Sequence, residues 1–371
     1  MNGIHPNLYL CIDCGGSKTA CAIANKSGAI LARAIGGPSN FADVGIDGFV
    51  RAVKGATEEA LSLIYPGSNP TLPTSTPHFK AVWIGASGID REEDAISLLQ
   101  TLSTLFSISI GPQLSIGNDT SLLASPLQQF PVADTAVVAI AGTGSCIAAF
   151  REEVTDGYRR LKEIGREGGW GWILGDEGSG IHVGKETIRW LLNRKNRTGG
   201  LGAVTEESQD EDAAFQVAVL EHYGVKAATE LIYVVYAEEP SRNPKANATA
   251  EDQHSSRWLS LSRKARVASI TPVVFDHAFK HHSPAALTII TMASQESAAQ
   301  IRQVIRTAGI VDTRQAVLCF GGSLVGVDAY RNLIVEDLKD RGHVFAGVAF
   351  VADAAVSGAE RLASNDARPR I

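Results

Sequence analysis

Leu8-Tyr-Leu-Cys-Ile-Asp-Cys-Gly-Gly-Ser-Lys-Thr19 is an apolar run that ends in a carboxylate, two glycines and a lysine. A second apolar run, Ala20–Ala24, follows at once. The segment therefore predicts a β-hairpin, whereas a Walker-type phosphate loop leads from a strand into a helix. At such a hairpin the backbone N–H groups can approach phosphate oxygens, and Asp13 can hold a hydrated Mg²⁺. An ordinary glycine-rich turn explains this motif alone equally well. The predicted phosphate-binding residues are Gly15, Gly16, Ser17, Lys18 and Thr19.

The same arrangement occurs twice more along the chain. The apolar run Ala136–Ala141 enters Gly142-Thr143-Gly144-Ser145 and resumes as a strand, and Val317–Phe320 enters Gly321-Gly322-Ser323. Strands that end in glycine turns near the start, middle and end of the chain predict two similar halves that face one nucleotide. In this interpretation the first turn binds phosphate and metal, the second binds phosphate, and the third binds the adenosine end.

Length and composition exclude several classes of protein. The 371 residues suffice for two domains with their own cores. The net charge is −6 and no basic stripe is present, which argues against a nucleic-acid or anionic-membrane partner. The longest apolar stretch, 132–150, is interrupted by the second glycine turn, so no transmembrane helix is predicted. The N-terminus lacks a signal-like segment, and a cytoplasmic protein is the default expectation.

The cysteines lie in or beside the strands that border the glycine turns. Cys11-x-x-Cys14 is open to a redox or metal-binding interpretation, but no second pair exists to complete a zinc site. Residues three apart in a strand point to opposite faces, which favours a structural role. The full set is Cys11, Cys14, Cys21, Cys146 and Cys319.

The order of predicted elements also suggests two halves. The first 128 residues are expected to form three strands, then a helix, a strand, a helix, a strand and a helix. Strands begin again near Val132, and 238–257 is polar and contains two prolines, as an exposed loop or insertion would. The predicted helices cover 47–63, 91–106, 184–193, 211–237, 285–308 and 351–362, with one more beginning just after Asp119.

Between Gly165 and Gly180 the chain contains seven glycines, two tryptophans and an Asp-Glu pair. A glycine-rich surface loop is one explanation, but it does not account for two large aromatic side chains. A backbone folded closely around a small polar ligand does, because sugars pack their CH faces on aromatic rings while carboxylates bind their hydroxyls. We therefore favour a sugar-binding loop.

Asp119 is the candidate general base. It follows the predicted strand 113–117 and precedes a helix, which is where ligands bind in α/β proteins. Phosphoryl transfer to a hydroxyl needs a group that accepts the hydroxyl proton. Asn118-Asp119-Thr120 is also open to interpretation as a helix N-cap, and one residue can serve both purposes.

Together these segments resemble the sugar-kinase/heat-shock-ATPase/actin superfamily. Within it they are most similar to the BadF/BadG/BcrA/BcrD-type group that includes eukaryotic N-acetylglucosamine kinases, and Gly168–Ser179 is the most specific match. The resemblance implies an α/β, two-domain ribonuclease-H-like (actin-like ATPase) fold. Each domain would be a mixed five-stranded sheet flanked by helices, with the active-site cleft between domains. The implied domains are 1–128 and 129–350, with a helix at about 351–363 that packs back on the first.

The resemblance also implies roles for single residues and an activity. Asp119 would be the catalytic base, Asp13 would bind Mg²⁺, and ATP would be the phosphoryl donor. The product would be an amino-sugar 6-phosphate, most simply that of N-acetyl-D-glucosamine, and a homodimer is the family expectation. Cys14 and Ser17 depart from the commoner glycine and threonine. The implied sugar-binding residues are Ser39, Asn40, Ser87, Gly88, Asn118, Asp119, Gly169, Trp170, Gly171 and Asp176.

Two other classes remain open from the sequence. ATPases that activate 2-hydroxyacyl-CoA dehydratases share the fold but need cysteines that hold an iron–sulfur cluster, and no cysteine occurs from Ile147 to Leu318. A non-catalytic sugar sensor would more readily have lost Asp13 or Asp119, and both are present. Glucosamine, N-acetylmannosamine and N-acetylmuramate remain alternative acceptors, since one small group changes binding by only about 1–3 kcal/mol.

Overall fold

The computed structural model of the protein describes residues 8–73, 77–89, 92–155, 158–198, 210–239, 258 and 260–367. Residues 240–257 of the polar segment, and Arg91 at the predicted start of a helix, lie outside these ranges.

The first sheet contains the predicted hairpin. Its strand order is β3-β2-β1-β4-β5, in which β1 is antiparallel to β2 and parallel to β4. Alternate residues of β1 face opposite sides, so Leu10 packs under helices α1 and α2 while Cys11 packs under the last helix. Burial on both faces explains why β1 and β2 are almost entirely apolar. The elements are β1 (Leu8–Cys14), β2 (Thr19–Ala24), β3 (Ile30–Gly36), α1 (Phe41–Ile64), β4 (Phe79–Ala86), α2 (Glu92–Phe106) and β5 (Leu114–Gly117).

The second sheet repeats the first, strand for strand. Its order is β10-β9-β6-β7-β8, and the directions of its strands match those of β5-β4-β1-β2-β3. The prediction of two similar halves is therefore confirmed. Its elements are β6 (Thr135–Ala141), β7 (Ser145–Thr155), β8 (Tyr158–Gly168), α3 (Gly180–Thr198), α4 (Ala213–Tyr223), α5 (Glu230–Tyr236), α6 (Arg263–Ala268), α7 (Thr271–Phe279), α8 (Pro284–Thr307), β9 (Ala316–Gly321), α9 (Asp328–Asp340) and β10 (Gly347–Phe350).

Two helices lie between the sheets. In the 3₁₀ helix Asp119–Gln129, Leu122 packs toward the first sheet whereas Leu127 packs toward the second. Helix α10 (Ala354–Ala367) lies on β1 and β2, and its buried Arg361 donates to Glu152 Oε1 of β7 at 2.6 Å. α10 therefore contacts both sheets, while the predicted domain boundary at 128/129 stays a prediction.

Several predicted elements are wrong in detail. The helix predicted at 211–237 is two helices, because Gly224 adopts a left-handed conformation (φ 62°) and ends α4. The element after Asn118 is a 3₁₀ helix, and α10 extends to Ala367. The sequence did not predict β8, because charged residues occur throughout this strand and it lacks an apolar run. In the part of the chain that the structure describes, no helix combines the length and apolarity needed to span a membrane.

Candidate active site

Asp13 and Asp119 lie at the same edge of the first sheet. In the register of the parallel strands, Asp13 pairs with Gly85, and Gly85 pairs with Gly117. Asp119 follows two residues later, at the carboxyl end of the strands. Gly85 permits this approach, because a Cβ there would lie 3.0 Å from Asp119 Cα and 2.6 Å from the Leu122 side chain.

The charge of Asp119 affects the pKa of Asp13. Burial, and next the charge of Asp119, raise the pKa of Asp13 to about 6, while Lys18 acts in the opposite direction. Two carboxylates that repel each other favour a cation between them. Among the described residues no group of three or more His, Cys, Asp and Glu side chains is placed to hold a metal. The Mg²⁺ site at Asp13 stays a prediction, in which water and phosphate oxygens would supply the other ligands, as is usual for that ion.

The N-cap of the 3₁₀ helix is Asn118 and not Asp119. Asn118 Oδ1 accepts from Thr120 N at 3.1 Å and from Thr120 Oγ1 at 2.9 Å. Capping therefore does not account for the acid at position 119. The sugar contact implied for Asn118 stays a prediction, since this side chain already has a structural task.

The first glycine turn has an exposed tip and a buried base. Gly16, Ser17 and Lys18 are exposed, whereas Thr19 is buried. Thr19 Oγ1 lies 2.6 Å from the buried Ser39 Oγ, and Ser39 N donates to Gly15 O at 2.9 Å. Thr19 and Ser39 thus brace the turn from inside. Their implied ligand contacts stay predictions.

The residues implied to bind sugar on the first sheet do come together. Asn40 Nδ2 donates to Ser87 Oγ at 3.0 Å. Gly88 adopts a left-handed conformation (φ 80°), and a Cβ there would lie 2.5 Å from Asn40 Oδ1. Asn40 Oδ1 is buried and has no hydrogen-bond donor among the described residues. A buried acceptor without a donor is costly, and a ligand hydroxyl is a group that can satisfy it.

The second glycine turn is held by the Asp-Glu-Gly-Ser-Gly run. Asp176 is buried, and its Oδ1 accepts from Ser145 N at 3.0 Å. A Cβ on Gly144 would lie 2.7 Å from the same oxygen. At the start of α3, Gly180 N donates to Gly142 O at 2.8 Å and Ile181 N donates to Thr143 O at 3.1 Å. Asp176 therefore faces this turn, and its implied sugar contact stays a prediction.

The third glycine turn lies against the second. Gly322 adopts a left-handed conformation (φ 103°), and a Cβ there would lie 2.5 Å from Ala141 O. Leu324 N donates to the same carbonyl at 2.9 Å. A cavity of about 310 Å³ opens beside the two turns, which is a size that suits a small organic ligand. Its walls include Gly142, Thr143, Ser323, Ala268, Thr271 and Phe275.

The residues that form the far wall of this cavity were not predicted from the sequence. Ala268, Thr271, Pro272 and Phe275 belong to the region where α6 ends and α7 begins. Neither helix contains a glycine turn, and only the proline at the start of α7 marks the junction. The segment reaches the site through the tertiary fold.

The loop after β8 projects outward. Gly168, Gly169 and Gly171 have φ of 73°, 74° and 80°, and Trp170 is 61% exposed. Ile173 and Leu174 are also exposed. The indole face is accessible to a ligand, and the predicted contact between Trp170 and a sugar remains to be tested.

Comparisons with known proteins find similar sequences and similar folds. No family model matches the chain. The chain is similar to the N-acetyl-D-glucosamine kinase of Dictyostelium discoideum, with 31% identity over 202 residues that cover 54% of this chain and 58% of the relative. It is similar to the N-acetylmuramic acid/N-acetylglucosamine kinase of Clostridium acetobutylicum, with 27% identity over 241 residues, or 64% of this chain and 67% of the relative.

Among solved structures, a candidate N-acetylglucosamine kinase from Porphyromonas gingivalis has the same fold. The TM-score is 0.62 at 19% identity, over 96% of this chain and 99% of that chain. The sequence match thus spans little more than half of the Dictyostelium relative, whereas the structural match spans nearly all of the Porphyromonas protein.

Proposed function

We propose that this chain, a member of the sugar kinase/actin-like ATPase superfamily, uses ATP to phosphorylate an amino sugar, and that its acceptor is the 6-hydroxyl of N-acetyl-D-glucosamine. The observation that supports the proposal most is the pair of carboxylates, Asp13 and Asp119, at the edge of the first sheet. The second glycine turn lies near Asp119, because the Arg166 side chain donates both to Thr120, which follows Asp119, and to Cys146, which follows that turn.

In this proposal the second sheet binds the donor. When bound, ATP supplies the phosphoryl group and Mg²⁺ neutralises charge on its phosphates. The backbone N–H groups of Thr143 and Gly144 would bind phosphate oxygens, since those of Gly142 and Ser145 donate to Gly144 O and Asp176 Oδ1. Asp13 would hold the metal. The cavity beside Ser323 and Phe275 would take the adenosine end, which its partly apolar wall suits.

The first sheet binds the acceptor. Asn40 and Ser87 would orient the sugar, and Asp119 would accept the proton of its 6-hydroxyl as the oxygen attacks. Trp170 would cover an apolar face of the sugar ring. Closure of domains 1–128 and 129–350 would exclude water from the transfer. Homodimerisation and a cytoplasmic location belong to the same proposal.

The test is ADP release with Mg-ATP across a panel of acceptors. The panel contains N-acetylglucosamine, glucosamine, N-acetylmannosamine, N-acetylmuramate, glucose and no sugar. We expect strong release with N-acetylglucosamine and little without sugar. Preference for another amino sugar would support the kinase activity but identify a different acceptor. ADP release that does not depend on any sugar would contradict the kinase activity and favour an ATPase coupled to a partner.

A further inference from the structure

Arg166, near the end of β8, touches several parts of the candidate site with one side chain. Its Nη2 donates to Thr120 Oγ1 at 3.3 Å, and its Nη1 donates to Cys146 Sγ at 3.3 Å. Nε and Nη2 also donate to Glu163 at 2.8 and 2.7 Å. The side chain is 34% exposed, so it lies partly within the structure.

Two of these partners adjoin different functional segments, and Arg166 itself lies two residues before a third. Thr120 follows Asp119 directly and donates to the capping Asn118. Cys146 follows the second glycine turn, and Gly168 begins the loop that carries Trp170. The pKa of Cys146 is raised mainly by burial, while Arg166 lowers it and Asp119 adds to the rise. The guanidinium and the Asp119 carboxylate therefore act on the same thiol.

A β-bulge gives Arg166 this orientation. In the pairing of β7 with β8, Ala149 pairs with Gly165 and Phe150 pairs with Glu163, so Ile164 is an extra residue. In a regular strand, residues 163 and 166 would point to opposite faces. The extra residue returns them to one face, and bulges serve this purpose beside active sites. Glu163 can then accept two hydrogen bonds from the guanidinium, one from Nε and one from Nη2.

We propose that Arg166 is a positioning residue that fixes the segment around Asp119, at the edge of the first sheet, against the second glycine turn. The inference rests on the proposed function, since transfer needs a base and a donor, held by different sheets, at a fixed separation. A guanidinium suits this task because its planar fork holds several partners at once, which a lysine ammonium does not do with the same geometry.

The test compares Arg166→Ala and Arg166→Lys with Arg341→Ala. Arg341 is exposed, pairs with Asp337 on α9 and is a matched control. Charge-assisted hydrogen bonds of this kind predict a fall in kcat of about 10- to 100-fold for Arg166→Ala. KM for ATP and for sugar should change by less than about threefold. Arg166→Lys should recover part of kcat, and added guanidinium should partly restore Arg166→Ala.

A second measurement does not depend on activity. Hydrogen exchange of peptides that cover 117–129 should be faster in Arg166→Ala than in wild type or Arg341→Ala. In Arg166→Ala, exchange of peptides from 328–340 should match the wild type. Unchanged kcat in Arg166→Ala would overturn the inference while sugar-dependent ADP release by the wild type still upheld the kinase. If the wild type released no ADP, the proposed kinase activity would be wrong. The positioning role of Arg166 would then be judged by hydrogen exchange alone, and unchanged exchange at 117–129 would overturn it.

Discussion

Asp119 and Asp353 follow equivalent strands of two sheets with the same order, yet they have different surroundings. β5 ends two residues before Asp119, and β10 ends three residues before Asp353. Asp353 Oδ1 accepts from Val356 N at 3.1 Å, and its Oδ2 is paired with Arg33. At Asp119 the capping is done by the neighbouring Asn118. The repeated topology supplies an acid at both places, but only Asp353 caps the helix that follows it, since Asn118 caps the helix that begins at Asp119.

The glycine turns differ in the same way. The first turn exposes Gly16 and Lys18 beside Asp13, whereas the second has no acid of its own and is braced from behind by Asp176. A braced turn suits binding of phosphate by the backbone N–H groups at its tip. A turn that combines an acid with a lysine suits a metal and the charge that moves during transfer.

The largest expected effect separates the two acids. Asp119→Asn keeps the shape of the side chain but removes the proton acceptor, so kcat should fall by roughly 10²–10⁴-fold. Asp353→Asn should change kcat by less than about tenfold, because it removes an exposed ion pair and a cap. Steady-state ADP release at saturating substrates measures both.

Nucleotide affinity is the control for Asp119→Asn. Binding of an ATP analogue by calorimetry should match the wild type, since the cavity lies on the second sheet. Asp340→Asn, exposed at the far end of α9, should retain full activity. Equal losses in Asp119→Asn and Asp353→Asn would contradict the comparison.

Asp13→Asn should lose activity and gain stability. Burial and the charge of Asp119 raise the pKa of Asp13 to about 6, so the folded protein binds this proton more tightly than the unfolded chain does. The ionised carboxylate therefore destabilises the fold as pH rises from about 4 through 6. Asn removes that penalty, which is roughly 1–3 kcal/mol at pH 7.5 without Mg²⁺.

Thermal unfolding at two pH values measures this effect. The gain in Tm should be clear at pH 7.5 and should shrink to a small fraction near pH 4, where folded Asp13 is almost fully protonated and the unfolded residue is about half protonated. A gain of equal size at both values would mean that packing and not charge is responsible.

The sequence predicted the repeated sheets because the strands are apolar and end in glycine turns. It also singled out Asp13, near the end of β1, and Asp119, two residues after β5, because acids at strand ends are placed to meet ligands; their roles stay predictions. It did not predict that Asn118 takes the cap, because neighbouring polar residues compete for one helix terminus and only the geometry decides between them. Nor did it predict Arg166, whose orientation depends on a bulge that no local pattern marks.

Two glycines at equivalent places should separate the substrates. Gly88 follows β4 and Gly322 follows β9, and both have positive φ with no room for a Cβ. Alanine at either position costs about 1–2 kcal/mol in backbone conformation alone. Gly88→Ala should raise KM for sugar about tenfold by displacing Asn40, and Gly322→Ala should raise KM for ATP by a similar factor.

Gly28→Ala provides the control for this pair. Gly28 also has positive φ (84°), but a Cβ there would meet no atom within 4 Å, and it lies in the β2–β3 turn. It should lower stability slightly and leave both KM values unchanged. If Gly88→Ala and Gly322→Ala raised the same KM, the assignment of acceptor and donor to separate sheets would be wrong.

The smallest expected effect is a change in pH dependence. The charge of Asp353 is one of the causes that raise the pKa of Asp13, behind burial and Asp119. Asp353→Asn removes this charge and leaves Arg33 without its partner, and both changes lower the pKa of Asp13. The acid limb of kcat/KM for Mg-ATP, which reports the free enzyme, should therefore move to lower pH by roughly a few tenths of a unit. A limb that moves upward would mean that Asp353 affects Asp13 through structure and not through charge.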